Sequence, residues 1–236
     1  MTYETHLAAA EAALWPLDEI AWNRIDRDAA SREGELHRAL YDAALIEGYL
    51  PVYGGRLLAL LEDDVDATAV LSIELFEGLR HYTALKRYLD AVGFRSAADA
   101  DTGLANARVR SARVRSAGGA PAYATETVVE HLTHFMGSEL FAAFFFQRVA
   151  EQTREPVLAD LLRRMSADEQ RHAAAASALL EARVRRDPSL AARVVAAAEG
   201  FRHYGNDIVE VPVAERNDLE ALAAFNRRVR HIGAAR

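Results

Sequence analysis

The chain has no cysteine, so disulfides, thiolate metal ligands and cysteine nucleophiles are all excluded. It also lacks a long hydrophobic run. The longest, Leu140 to Phe146, has seven residues, whereas a membrane helix needs about 20. Residues Met1 to Ala13 lack the basic start and apolar segment of a signal peptide. The net charge of −7 argues against general nucleic-acid binding. We therefore expect a cytoplasmic protein with no membrane span and no nucleic-acid partner.

Proline and glycine are scarce as well, with six and 13 residues among 236. Hydrophobic residues recur every three or four positions over long stretches, and alternation with period two is too short for a sheet. The sequence therefore predicts one all-α domain over residues 1–236, with four long helices in a core bundle of about 35–186. An arginine-containing loop of about 94–123 and C-terminal helices at 188–231 complete it. The predicted helices are Tyr3–Leu14, Leu17–Asp28, Glu35–Leu61, Ala67–Val92, Thr125–Thr153, Pro156–Arg186, Asp187 to Tyr204, and Ala214–His231.

The clearest local motif is Glu169-Gln170-Arg171-His172, inside a predicted helix. Residues three apart lie on one helix face, so this carboxylate and this imidazole point towards the same place. Di-iron carboxylate bundles take their ligands in this way: two helices each give Glu-x-x-His, and two others each give one Glu.

The other three long helices carry residues that complete this pattern. The first carries Glu47, the second Glu77 and His81, and the third Glu139. The step from Glu47 to Glu77 is thirty residues, as is the step from Glu139 to Glu169. Two helix pairs with matched spacing indicate two halves of one site. The predicted metal ligands are Glu47, Glu77, His81, Glu139, Glu169 and His172, with Glu74 and His134 as lesser candidates.

A different interpretation of Glu47 and Glu139 remains open. A carboxylate among hydrophobic neighbours usually has a partner, because burying it unpaired is costly. That partner is either a metal ion or an arginine such as Arg56 or Arg148.

At these residues the chain resembles the soluble acyl-carrier-protein desaturases, di-iron enzymes of the ferritin-like superfamily. Arg80-His81, followed by Leu85, Tyr88-Leu89 and Gly93, is similar to one stretch of that family. Ala167-Asp168-Glu169-Gln170-Arg171-His172 is similar to its Ala-Asp-Glu-Lys-Arg-His. The segment from Glu47 to Tyr53 resembles its first ligand helix. The resemblance covers about Glu35 to Tyr204.

The resemblance implies a ferritin-like four-helix bundle that holds two iron ions and uses O2 to oxidise an unactivated carbon. His81, Glu139, Glu169 and His172 fall on the family's ligand positions. Its first Glu-x-x-His would need a glutamate at position 78, where this chain has Gly78, and its first-helix ligand aligns with Gly48. Glu74, seven residues before His81, is a substitute ligand in a spacing that also resembles the heme-oxygenase-like di-iron oxidases.

Two further groups of residues are candidates for recognition. Phe141, Phe144 and Phe145 lie about one turn beyond Glu139 and are predicted to line a substrate pocket, although ordinary core packing explains them too. The basic run of the loop is predicted to dock an acidic carrier protein or a phosphate, although a solvated loop explains it equally well. Its members are Arg108, Arg110, Arg113 and Arg115.

The favoured function is an O2-dependent di-iron oxidase that desaturates or hydroxylates an acyl or other apolar substrate. An electron-transfer protein would supply electrons, and we expect a homodimer. One alternative is an oxidase or N-oxygenase of a small amine or amino acid in a biosynthetic pathway. The other is a non-catalytic or iron-storage helical protein.

Overall fold

The computed structural model describes residues 3–94, 128–209 and 218–234, and in these ranges the chain is helical without strands, as predicted. None of the helices in these ranges is both long and apolar enough to cross a membrane. The α-helices are α1 (Tyr3–Ala13), α2 (Arg27–Ala30), α3 (Gly34–Leu60), α4 (Val65–Ala91), α5 (Val128–Gln152), α6 (Pro156–Arg186), α7 (Leu190–Glu199) and α8 (Leu219–Ala234).

The four long helices form two hairpins, α3 with α4 and α5 with α6, because each connection is a few residues long and ends in a cap. The carboxylate of Asp64 accepts a hydrogen bond from the Ala67 amide at 3.0 Å and so begins α4. Glu155 caps α6 in the same way, and Pro156 occupies its first turn. The left-handed backbone of Gly93, with φ 72°, follows the end of α4.

The hairpins pack against each other through α3 with α5 and through α4 with α6. The α1 helix packs on α4, and α7 and α8 cover α5. The buried hydrophobic residues form two clusters, one around Leu57, Leu132 and Leu180 and the other around Leu85 and Leu158. On α4 and α6, the predicted ligands Glu77, His81, Glu169 and His172 lie between the part of the helix that joins one cluster and the part that joins the other. The fold therefore surrounds these polar residues with hydrophobic layers.

The predicted helix over Leu17–Asp28 is wrong. The chain instead forms 3-10 turns at Leu17–Glu19 and Trp22–Arg24, and then the four-residue α2. Local hydrogen bonds explain the difference. The indole of Trp22 donates to the carbonyl of Leu17 at 2.7 Å, and Asp26 caps α2.

The predicted helix up to Tyr204 is too long, since α7 ends at Glu199 and Gly200 caps it. A 3-10 turn at Tyr204–Asp207 follows, and the His203 ring accepts a hydrogen bond from the Gly205 amide at its start.

Candidate metal centre

Five of the predicted ligands meet at the centre of the four long helices. Their ligand atoms form two groups, in each of which all atoms lie within 4.8 Å of one another. The first group is Glu47, His81 and Glu169, and the second is Glu139, Glu169 and His172. Glu169 belongs to both groups, one through each side of its carboxylate. This arrangement could hold two metal ions with Glu169 between them.

These side chains are almost completely removed from water. Glu47 is the most exposed at 5 %, and His81 has no exposed surface. Nδ1 of His81 lies 2.7 Å from Oε1 of Glu169, yet neither atom makes a hydrogen bond of acceptable geometry with any described residue. Oε1 of Glu139 is in the same situation. Buried polar atoms without hydrogen bonds are costly, and a cation bound within each group would give these atoms a partner.

The outer side of the His81 ring is held by Asp168. Nε2 of His81 donates to Oδ2 of Asp168 at 3.1 Å, because a carboxylate can only accept. The indole of Trp15 donates to the same oxygen at 2.8 Å, and Arg171 donates to the other oxygen at 2.8 Å. This network holds a proton on Nε2, so Nδ1 faces Glu169 and Glu47, where it offers a lone pair to a metal ion once it has lost its own proton.

The outer side of the His172 ring is held by Glu77 in the same manner. Nε2 of His172 donates to Oε2 of Glu77 at 2.8 Å, and Arg171 donates to the second oxygen at 2.6 Å. Nδ1 of His172 lies 3.1 Å from Glu169 and 3.2 Å from Glu139. Glu77 was expected to be a direct ligand. The structure places it outside both groups, as the residue that orients His172.

The structure also shows why no carboxylate stands beside Glu77 at position 78. A Cβ atom on Gly78 would lie 2.5 Å from Cδ2 of Leu50 and 3.2 Å from Oε2 of Glu47. The α3 side chains therefore fill the space that a residue 78 side chain would need. The centre consequently has three carboxylates and two imidazoles.

The pKa values reflect this crowding of charge. Burial raises the pKa of Glu47 to about 8, and Glu169 adds to the effect. Burial and Glu169 also raise the pKa of Glu139. Burial, the largest single effect, would lower the pKa of His81, but the carboxylates of Glu169, Asp168 and Glu47 together outweigh it and raise this pKa to about 10. Since protonated groups do not bind metals, a metal ion that binds here would have to displace these protons.

The lesser candidates lie elsewhere. Glu74 is buried outside both groups, with Oε1 3.8 Å from Nε2 of His6, and burial raises its pKa to about 8. His134 donates from Nε2 to the carbonyl of Ala197 at 3.1 Å and joins neither group. The arginines at positions 108, 110, 113 and 115 lie outside the described residues, so the structure says nothing of their predicted docking role.

The alternative pairing with arginine is not observed for Arg148, whose guanidinium binds Asp218 instead of Glu139. The arginine that does belong to the centre is Arg171, which bridges Glu77 and Asp168. No role was predicted from the sequence for Arg171, Asp168 or Trp15. The first two lie within the Asp-Glu-Gln-Arg-His motif and could have been noticed there, whereas nothing near Trp15 in the sequence marks it.

A cavity of about 370 Å³ borders the centre at Glu47. Phe141 and Phe145, two of the three residues predicted to line a substrate pocket, line this cavity together with Tyr204. Phe144, the third predicted pocket residue, points into a separate cavity beside α8.

Comparison with known proteins adds no assignment: no protein-family model matches the chain, and no curated protein matches it significantly.

Proposed function

We propose that the chain is a ferritin-like, non-heme di-iron oxidase that uses O2 to oxidise a carbon in an apolar part of its substrate. The observation that carries this proposal is the pair of ligand groups that share Glu169. In di-iron carboxylate bundles, glutamates and Glu-x-x-His motifs on four helices converge on two iron ions in the same way.

The donor atoms support iron as the metal. All are carboxylate oxygens and imidazole nitrogens, which suit iron and other first-row metals, and the chain has no cysteine. When bound, iron supplies the redox chemistry of O2 reduction and hydrogen abstraction. The electrons would come from an external donor, because the chain shows no flavin motif and no cysteine for an iron–sulfur cluster.

Each residue of the centre has a separate task in this proposal. Glu47 and His81 would hold one iron, Glu139 and His172 the other, and Glu169 would bridge them. Asp168 and Glu77 keep the protons of the histidines on Nε2, so that both Nδ1 atoms face the metals. The hydrophobic residues above and below exclude water, which strengthens the electrostatic interactions within the centre.

The test is to load the purified protein with ferrous iron in the absence of oxygen, remove the excess and measure iron per chain. We expect about two irons for the wild type and about one or fewer for Glu169→Ala. Glu181→Ala, on the same helix but outside both groups, is the matched control and should keep about two. Without iron in the wild type, the metal centre is refuted.

The loaded protein should then consume O2 repeatedly when a chemical reductant is supplied. O2 uptake that stops after the bound iron is oxidised, whatever the reductant, would instead favour iron storage. A protein that binds iron but takes up no oxygen would refute the oxidase.

A further inference from the structure

The cavity beside Glu47 runs between α3 and α5. The rings of Tyr53 on α3 and His131 on α5 are neighbours, with centroids 6.3 Å apart. Glu47, six residues before Tyr53, and Glu139, eight residues after His131, both lie in the metal centre. The helices are therefore antiparallel, and Asp42 and Arg148 lie at the end of the cavity far from the metals. From Phe141 to Arg148, seven steps along the helix, the rise is about 10 Å.

The volume of the cavity suits a small ligand. At about 370 Å³, it lies near the lower end of the range of roughly 300–1,000 Å³ that is typical of small-molecule sites. A compact free metabolite therefore fits it. Ile46, Phe141, Phe145 and Phe146 make most of the wall hydrophobic.

A charge stands at the end far from the metals. Arg148 is 46 % exposed, and Asp218 is its only partner among the described residues. The other oxygen of Asp218 caps α8 by accepting from the Ala221 amide at 3.0 Å. A guanidinium has five N–H groups, and the bond to Asp218 uses Nη2, so Arg148 has N–H groups left to donate in the planar arrangement that binds a carboxylate. Asp42 lines the same end and has an interaction of its own.

We propose that the cavity binds a compact free carboxylic acid whose carboxylate pairs with Arg148 and whose apolar body lies against the phenylalanines, towards Glu47. This inference rests on the proposed function, because it names the substrate class of that site. It replaces the long, carrier-bound acyl chain by a small molecule that enters unaided.

Binding can be tested apart from oxidation, by calorimetry in the absence of oxygen on metal-free and zinc-loaded protein. The probes are 3-phenylpropionate, its amide, 2-phenylethylamine and palmitate. We expect 3-phenylpropionate to bind most tightly. Arg148→Gln should weaken it about tenfold or more, because a charge-assisted hydrogen bond is lost.

The matched control is Arg183→Gln. Arg183 also pairs with a helix-capping aspartate, Asp64, at 2.7 Å, but it does not line the cavity. It should leave the affinity for 3-phenylpropionate unchanged. Ala142→Leu, which adds bulk inside the cavity, should weaken this affinity strongly, and Ala142→Ser should not.

Tightest binding of palmitate, equal binding of the acid and its amide, no saturable binding, or an unchanged affinity in Arg148→Gln would each overturn the inference. If 3-phenylpropionate binds as expected while the iron-loaded protein takes up no O2, the carboxylate site stands and the oxidase proposal fails.

Discussion

The carboxylate of Glu77 lies 2.8 Å from Nε2 of His172, on the side of the ring that faces away from Glu139 and Glu169. Asp168 has the same relation to His81, at 3.1 Å. Each histidine of the centre thus has an acidic partner on its outer side. In each case the partner belongs to the hairpin that does not carry the histidine.

Replacing Glu77 by glutamine should weaken metal binding without abolishing it. The amide still reaches Nε2 of His172 but no longer carries the charge that strengthens the ligand, so affinity should fall about 10- to 100-fold. Titration with Mn²⁺ or Zn²⁺ measures this effect. Glu139→Gln, which removes a direct ligand, should lose one metal altogether. Equal losses in both variants would mean that Glu77 is itself a ligand.

Asp168→Asn should have a larger effect than Trp15→Phe. The aspartate accepts from His81, Arg171 and Trp15, whereas the indole contributes only one of these bonds. We expect Asp168→Asn to weaken metal binding about 10- to 100-fold and Trp15→Phe to weaken it only slightly. Metal titrations of the two variants side by side decide this order. The reverse order would assign the orientation of His81 to the indole.

Gly78→Ala should destabilise the protein, because the added methyl group meets Leu50 and Glu47. The expected loss in free energy of unfolding is about 1–3 kcal/mol, from overpacking. Gly55→Ala is the control: it is also inside a helix, but no atom lies within 4 Å of its added Cβ. That variant should be more stable than the wild type by about 0.4–1 kcal/mol. Denaturant unfolding of both variants provides the comparison.

The metal-free protein should lose stability as the pH rises from about 6.5 to 10. The folded-state pKa of His81 is raised to about 10, so its stabilising contribution is complete below 6.5 and is lost as the pH passes 10. The folded-state pKa of Glu47 is raised to about 8, so the folded protein holds this proton more tightly than the unfolded chain does. The stability that this contributes is lost as the pH rises from 4.5 to 8.

Metal binding should show the opposite trend, since the ligands release these protons. Melting temperatures with and without Zn²⁺ should therefore diverge as the pH rises. Glu47→Gln, which cannot titrate, should reduce the slope of the metal-free protein between pH 4.5 and 8. A slope that is unchanged in this variant would show that Glu47 does not carry the effect.

The long helices could be predicted from the sequence because their hydrophobic period is long and their caps are local. The α6 helix begins at Pro156 and ends at Arg186, as predicted. The Glu169–His172 pair was predictable for the same reason, since two residues three apart on a regular helix share a face. Leu17–Asp28 was not predictable, because its turns depend on side-chain hydrogen bonds such as that of Trp22.

The role of Glu77 was beyond the sequence for a different reason. Positions 77 and 78 point in directions about 100° apart, and only the packing of α4 against α3 decides which of them faces the candidate metal centre. The matched thirty-residue spacing favoured Glu77, whereas the contact of Gly78 with Leu50 and Glu47 shows that position 78 faces inward. The packing of α4 against α3, and not the spacing along the sequence, therefore determines which of the two positions faces the centre.

Arg171 donates to both Asp168 and Glu77, so one guanidinium lies behind both histidines. The two groups of ligands therefore share Arg171 behind the histidines as well as Glu169 between them. A change at Arg171 would therefore be expected to disturb the orientation of both histidines at once, rather than one half of the centre alone.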